Sequence, residues 1–152
     1  MKFILSRELG RLAKWLRILG FDTAYFNQDN TSSLIMQALR DDRLIITRNH
    51  RLAGSSRLKT FLVKSEKLKD QLIEVLKGLK LSINSDMMFS RCIICNVELE
   101  HIEKEKAMSK VPEYVFNTQD NFIICPNCKR IYWSGTHWGN VNETLKEIGV
   151  AL

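Results

Sequence analysis

Two segments decide the fold of the C-terminal part of this chain: Cys92-Ile93-Ile94-Cys95 and Cys125-Pro126-Asn127-Cys128. They contain all four cysteines of the 152 residues. Two residues between the cysteines of a pair let both sulfur atoms turn toward one ion, and two such pairs complete a closed tetrahedral site that suits zinc. The spacing therefore predicts a zinc ribbon whose metal is structural, since four sulfur ligands leave no open position for a substrate.

Disulfide bonds or redox chemistry are the alternative interpretation of the cysteines, and they require an oxidising compartment or a redox partner. The apolar run at the N-terminus consists only of Phe3, Ile4 and Leu5, which is too short for a secretory signal. No apolar stretch approaches the ~20 residues that a helix needs to cross a bilayer. We therefore expect a cytoplasmic protein with no membrane partner, and zinc rather than disulfides.

The length of the chain permits one ordinary domain, or one domain and a smaller unit stabilised by metal. The positions of the cysteines favour the second arrangement. A ribbon of about 60 residues is too small to rely on its own core, and zinc supplies the missing folding free energy. We predict a first domain over residues 1–85 and a zinc ribbon over residues 90–152.

The net charge of +6 is unevenly distributed along the chain. Residues 1–88 contain 16 lysines and arginines against 9 aspartates and glutamates, whereas residues 89–152 contain 7 against 8. The excess of positive charge lies in the N-terminal part, which suits a polyanion such as RNA. Charge alone leaves a merely solubilising surface as the alternative.

The N-terminal part alternates between apolar runs and amphipathic periodicity. The apolar runs predict strands over residues 2–5, 22–26, 43–47 and 60–64. The periodic segments predict a helix that ends at Gly20, then helices over residues 32–40, 67–79 and, near the C-terminus, 142–148. Strands that alternate with helices indicate an α/β fold with a parallel sheet.

Ligand sites in parallel α/β sheets lie at the carboxyl ends of the strands. Ser6 follows the first predicted strand, Asp29 follows the second, and Asn49 follows the third. We expect these side chains to form a polar pocket flanked by three arginines, Arg7, Arg48 and Arg51. The alternative is that Ser6 caps the first helix and Asn49 is a turn residue.

Four segments together carry a family resemblance. They are Phe3-Ile-Leu-Ser-Arg-Glu-Leu-Gly10-Arg-Leu-Ala-Lys-Trp15-Leu-Arg-Ile-Leu-Gly20-Phe-Asp22, then Leu44-Ile-Ile-Thr-Arg48-Asn49, then Arg91-Cys92-Ile-Ile-Cys95-Asn96, and last Cys125-Pro-Asn-Cys128-Lys-Arg-Ile-Tyr132-Trp133-Ser-Gly135-Thr-His137-Trp138. These segments occur in the order and approximate spacing of one family. The chain resembles the mutator-seven C-terminal RNase family, a PIN-like nuclease domain followed by a zinc ribbon.

The resemblance implies a ribonuclease pocket in which carboxylates hold Mg or Mn ions. Such ions activate a water and stabilise the departing oxyanion of the phosphodiester. In the family, one Asp ends the first strand and another follows a Thr-Arg pair, and this chain has Ser6 and Asn49 at those positions. Asp29 matches a further acidic position, and Glu8 is an acid that could compensate for the missing ones.

Each of the two replacements removes a full negative charge from a pocket flanked by arginines, and Mg relies on carboxylates. We therefore expect a degenerate family member that binds RNA and docks on structured RNA or a ribonucleoprotein such as the ribosome. An active Mg- or Mn-dependent endoribonuclease is one alternative. A protein-interaction module that uses its ribbon to bind a protein partner is another.

Basic residues of the first predicted helix recur at helical spacing and share one stripe. With two arginines that follow the third strand, they form the predicted RNA-binding surface: Arg7, Arg11, Lys14, Arg17, Arg48 and Arg51. Their side chains would contact phosphates with little dependence on base sequence. A solvated helix face is the alternative.

Several aromatic and histidine side chains have a structural and a functional interpretation. Trp15 is expected at the edge of the core, and the cluster from Tyr132 to Trp138 is expected to pack the ribbon onto the first domain, with base stacking as the alternative. His137 is not needed as a zinc ligand beside four cysteines. His50 is expected at the surface rather than as a general base.

Overall fold

The structure is a computed structural model that describes residues 1–150, except the side chains of residues 136–138. The expectations for the side chains of His137 and Trp138 therefore lie outside the described residues, as do the last two residues of the predicted ribbon.

The N-terminal part contains a four-stranded parallel sheet. Its strands are β1 (Phe3–Leu5), β2 (Thr23–Tyr25), β3 (Leu44–Thr47) and β4 (Thr60–Leu62), in the spatial order β2-β1-β3-β4. Phe3 pairs with Thr23 on one side and with Leu44 on the other. The predicted α/β class is confirmed, and the carboxyl ends of β1 and β3 lie side by side.

Four helices cover the two faces of this sheet. They are α1 (Gly10–Ile18), which follows a 3-10 turn at Arg7–Leu9, α2 (Thr31–Arg40), α3 (His50–Ala53) and α4 (Leu68–Gly78). Phe3 and Leu5 join a core cluster with α1 and α4, whereas Ile4 joins a second cluster with α2 and α3. This division follows from the alternation of side chains along a strand. The short helix α3 has no periodic sequence signal.

The C-terminal part contains an antiparallel sheet, with strands in the order β5-β6-β7. Its elements are β5 (Glu100–Ile102), α5 (Lys104–Ala107), α6 (Glu113–Thr118), β6 (Phe122–Ile124), β7 (Ile131–Trp133) and α7 (Thr136–Glu147). Helix α7 begins before the predicted residue 142, because two glycines, Gly135 and Gly139, obscure its start in the sequence. Its residues Val141, Leu145 and Ile148 join the core cluster of α1 and α4.

The first cysteine pair is attached to the amino ends of the parallel strands through Asn96. Its Nδ2 donates to Asp22 Oδ1 at 2.7 Å, and its Oδ1 accepts the backbone N–H of Thr23 at 2.9 Å. Arg43 Nη1 also donates to Asp22 Oδ1, at 2.7 Å. This attachment lies at the opposite edge of the sheet from the carboxyl ends of β1 and β3.

Arg17 forms a second link between the two parts of the chain. From α1, its Nη1 donates to the carbonyl oxygens of Ile93 at 2.8 Å and Ile94 at 3.1 Å, and its Nε donates to Thr23 O at 2.8 Å. Burial lowers the pKa of Arg17, although the nearby cysteine sulfurs and Asp22 act to raise it. The arginine thus fastens the first cysteine pair to α1 and β2 at once.

Candidate functional site

The four cysteines come together in one cluster. Their sulfur atoms all lie within 4.8 Å of one another, and Cys92 Sγ is 3.7 Å from Cys128 Sγ. A tetrahedral ion with metal–sulfur bonds of about 2.3 Å separates its sulfurs by roughly 3.8 Å, so the cluster fits such an ion. All four cysteines are free, which contradicts the disulfide alternative.

Hydrogen-bond donors surround the sulfur atoms. The backbone N–H groups of Cys95 and Cys128 each donate to the first sulfur of their own pair at 3.4 Å. The Tyr132 hydroxyl lies 3.1 Å from Cys92 Sγ, and Asn127 Nδ2 donates to Cys95 Sγ at 3.2 Å. Such outer contacts orient metal ligands. The sequence interpretation missed both side-chain donors, because nothing in the cysteine spacing identifies them.

The pKa of the Cys92 thiol reflects these donors. Burial alone would raise the pKa, but hydrogen bonds from the Tyr132 hydroxyl and the Cys95 backbone lower it to about 7. The thiolate is the form of cysteine that binds metal. The Cys92 sulfur is therefore prepared to bind a cation, and the closed set of four sulfurs suits a structural role.

A second polar cluster lies at the carboxyl ends of β1 and β3. Ser6 Oγ donates to Glu8 Oε1 at 2.7 Å and is hydrogen-bonded to Thr47 Oγ1 at 2.9 Å. The backbone N–H of Arg48 also donates to Glu8 Oε1, at 3.0 Å. Helices α1 and α2 lie on opposite faces of the sheet on either side of this point, where α/β folds commonly bind ligands.

Glu8 carries the negative charge of this cluster. Burial raises its pKa, but the hydrogen bonds from Ser6, the Arg48 backbone and Thr47 outweigh that effect, so the pKa lies below the usual value. Glu8 is ionised at neutral pH, and its Oε1 accepts the hydrogen bonds from Ser6, Thr47 and the Arg48 backbone. The 3-10 turn at Arg7–Leu9 brings the carboxylate back over the end of β1.

Asn49 lies at the same edge, but its side chain caps a helix. Its Oδ1 accepts the backbone N–H groups of Arg51 at 3.0 Å and Leu52 at 3.3 Å, at the start of α3. This agrees with the alternative interpretation of Asn49 as a turn residue. Ser6 precedes the first 3-10 turn, but its hydroxyl makes no cap hydrogen bond.

Asp29 and His50 lie outside the polar cluster of Ser6 and Glu8. Asp29 is exposed in the loop between β2 and α2, where it makes no hydrogen bond or ion pair with any described residue. His50 is exposed at the start of α3, as expected. The structure thus joins Ser6 to Glu8 and leaves Asp29 in solvent.

The predicted basic surface is only partly exposed. Four of its residues are exposed, namely Arg7, Arg11, Lys14 and Arg51, and Arg48 is half-buried. Arg17 differs from them, because it is only 7% exposed. Residue 17 lies beside Ala13 on the helix, and the first cysteine pair covers that side.

Two cavities border α1. A cavity of about 760 Å³ lies between α1, the antiparallel sheet and α7, and its mostly apolar lining includes Trp15, Tyr132 and Trp133. Trp15 packs at the edge of the first core cluster, as expected. A smaller cavity of about 300 Å³ lies between α1 and β2; its surface is mostly apolar, and its lining includes three cations, Arg11, Lys14 and Arg17.

The parallel sheet, its polar edge and the four-cysteine cluster define an α/β protein with an attached unit that could hold a metal ion. The sequence matches the Mut7-C RNAse domain family over residues 1–145, so the chain belongs to this family and the resemblance is confirmed. It is accordingly a ribonuclease-family protein. No curated protein and no solved structure matches the chain. Among the described residues, the helices are too short or too polar to cross a membrane.

Proposed function

We propose that this protein is a cytoplasmic, RNA-binding member of its family with a degenerate nuclease pocket. In this proposal residues 1–85 form a PIN-like domain and residues 90–152 form a zinc ribbon. The protein docks on structured RNA or on a ribonucleoprotein such as the ribosome. The observation that carries the proposal is the hydrogen bonding of Ser6 and Asn49. The Ser6 hydroxyl donates to Glu8, and the side-chain oxygen of Asn49 caps α3.

The charges at the polar edge support the proposal that this pocket binds metal only weakly. Among the side chains in the Ser6 cluster, Glu8 is the one carboxylate, and its Oε1 already accepts three hydrogen bonds. Mg dehydrates reluctantly and is usually held by more than one acidic group together with its substrate. A single carboxylate beside the arginines of this edge should have a low affinity for a divalent cation.

The exposed cations of α1 support the RNA interaction. Arg11 and Lys14 are exposed and make no ion pair within the described residues. Cations without protein partners are free to replace the counterions of a nucleic acid, which makes binding salt-dependent. The family membership is consistent with this ligand.

Zinc is the metal that we assign to the cysteine cluster. Cys92, Cys95, Cys125 and Cys128 would hold it, and the ion would supply folding free energy rather than chemistry. Because Asn96 and Arg17 both bind the segment of the first pair, the ion also supports the attachment of that segment to the parallel sheet.

RNA binding can be tested by fluorescence anisotropy with a structured RNA at several salt concentrations. We expect affinity to fall steeply with salt, and R11E/K14E to weaken binding strongly at low salt. The matched control is K106E/K110E, which reverses two exposed lysines near α5 in the C-terminal part. Equal effects of the two variants would show that α1 is not the binding surface.

An active endoribonuclease is the second candidate, and the ionised Glu8 at the carboxyl ends of β1 and β3 is the observation that favours it. The test is a Mg and Mn titration of cleavage of single-stranded RNA. We expect at most trace cleavage, unchanged in Glu8→Gln and Asp29→Ala. Robust metal-dependent cleavage that both substitutions abolish would establish the nuclease and reject the degenerate pocket.

A further inference from the structure

The small cavity between α1 and β2 has walls shaped by two small residues and one tyrosine. Gly10 and Ala13 leave space along the helix, and Tyr25 forms the facing wall. A Cβ at Gly10 would lie 3.1 Å from the Tyr25 ring, so glycine permits this close approach. The Tyr25 hydroxyl donates to Arg7 O at 2.6 Å, which holds the ring in place.

The remaining lining residues of the cavity are all cations. Arg11, Lys14 and Arg17 line it, and no acidic residue does so. Like charges so close together are unfavourable unless an anion or solvent lies between them. The cavity therefore has the electrostatic character of an anion site.

Arg17 distinguishes this cavity from an ordinary basic surface. Its side chain is more than nine-tenths buried, yet Nη2 makes no hydrogen bond to any described residue. Its Nε and Nη1 are occupied by three backbone carbonyls, which fix the plane of the guanidinium. Nη2 is not among the sealed side-chain atoms that lack a partner, so its N–H groups can donate to a water or to a bound ligand.

We propose that this cavity binds one phosphate group of an RNA backbone. The Arg17 guanidinium, whose plane is fixed by three backbone carbonyls, is the anchored cation, and Arg11 and Lys14 close over the phosphate from the exposed side. The inference rests on the proposed RNA-binding function and deepens it, because it turns a general basic face into a discrete site. Arg17 thereby remains in the interface, although it is not exposed.

The site also depends on the cysteine cluster. Arg17 is oriented by the carbonyls of Ile93 and Ile94, which lie between the first two cysteines. A metal that holds this segment in shape therefore also holds Nη2 in place. Chelation of the metal should weaken phosphate binding even where Arg11 and Lys14 are intact.

The experiment compares R11Q/K14Q with K106Q/K110Q, since both variants remove two exposed cations and only the first alters the cavity. RNA affinity is measured at constant ionic strength in chloride and in inorganic phosphate. We expect phosphate to compete with RNA for the wild-type protein. The cavity variant should bind RNA about tenfold more weakly, as for loss of a charge-assisted hydrogen bond, and lose the competition. The control variant should keep the competition.

Inorganic phosphate alone is then titrated against the zinc-bound protein, with the Gly10 and Tyr25 amides observed by NMR. Saturable shifts in the wild type that disappear in R11Q/K14Q and on chelation support the site. If the wild type binds RNA but both variants behave alike and phosphate does not compete, the cavity proposal is wrong while RNA binding stands. If phosphate binds at the cavity but RNA does not bind at all, the RNA-backbone source and the proposed function are wrong together.

Discussion

Asn96 provides a direct test of how the first cysteine pair is held to the sheet. Asn96→Gly removes the hydrogen bonds to Asp22 and Thr23 and keeps the backbone conformation, because Asn96 has φ +65° and glycine adopts it readily. The Thr23 N–H would then lack its acceptor in a fully buried residue, at a cost of about 1–3 kcal/mol. The lost bond to the partly exposed Asp22 adds about 1 kcal/mol. We expect a total loss of about 2–4 kcal/mol in unfolding free energy.

The assay is guanidinium denaturation of the zinc-bound protein, followed by tryptophan fluorescence at neutral pH. Lys129→Gly is the matched control, because Lys129 occupies the equivalent position of the second pair. Both residues have φ +65° and donate N–H to the carbonyl of the first cysteine at 2.9 Å. Lys129 is exposed and its side chain makes no hydrogen bond, so its replacement should be neutral or slightly stabilising. If Asn96→Gly costs no more than Lys129→Gly, the proposed attachment contributes nothing.

The loss of unfolding free energy in Asn96→Gly should also depend on pH, through the ionisation of Asp22. Burial raises the pKa of Asp22, but the hydrogen bonds from Arg43 and Asn96 lower it by more than burial raises it. The folded pKa therefore lies below the usual value. The resulting stability is present above the unfolded pKa of about 3.9 and is lost as pH falls through the folded pKa. The difference between wild type and Asn96→Gly should therefore narrow in acid. A constant difference from pH 7 to pH 3 would contradict this reasoning.

Three further predictions concern other parts of the molecule. Tyr132→Phe removes the hydroxyl beside Cys92 Sγ and should weaken zinc binding about 10–100-fold in a chelator competition; an unchanged affinity would mean that this contact is incidental. Glu8→Gln should reduce the amount of stability that the protein loses in acid, because Glu8 has a lowered pKa and stabilises the fold above the unfolded pKa of about 4.3. Thermal melts of both proteins across pH measure this, and the same dependence of melting temperature on pH in the variant and the wild type would contradict it. Gly20→Ala should cost about 2–4 kcal/mol in denaturant titrations, since Gly20 has φ +92° and an added Cβ would overlap the backbone oxygen of Met87. A cost below about 1 kcal/mol would show that this loop adjusts freely.

The strands of the parallel sheet were predictable because their apolar runs are local signals. The run from Leu44 to Ile46 has the continuous hydrophobicity of an interior strand, and it became β3. Parallel pairing then brought Ser6 and Thr47 to one edge, as the position of ligand sites in such sheets suggested. Helix α3 escaped prediction because it is only 4 residues long.

The partners of individual side chains were not predictable in the same way. Helical spacing placed Arg17 in one stripe with Arg11 and Lys14, but only Arg17 is covered by the first cysteine pair. A helical pattern tells which residues share a face and not what will pack against that face. The burial of Arg17 depends on residues far along the chain.

The cysteine cluster, the alternation of strands and helices, and the family were all predictable from the chain alone. These depend on residue type and on spacing within short segments. Tertiary structure alone decided that Ser6 bonds to Thr47, 41 residues away, and that Arg17 bonds to Ile93, 76 residues away. Such contacts form only when separate segments pack, because backbone carbonyls and hydroxyls carry no sequence signal of their distant partners. The polar edge and the basic cavity are therefore products of packing.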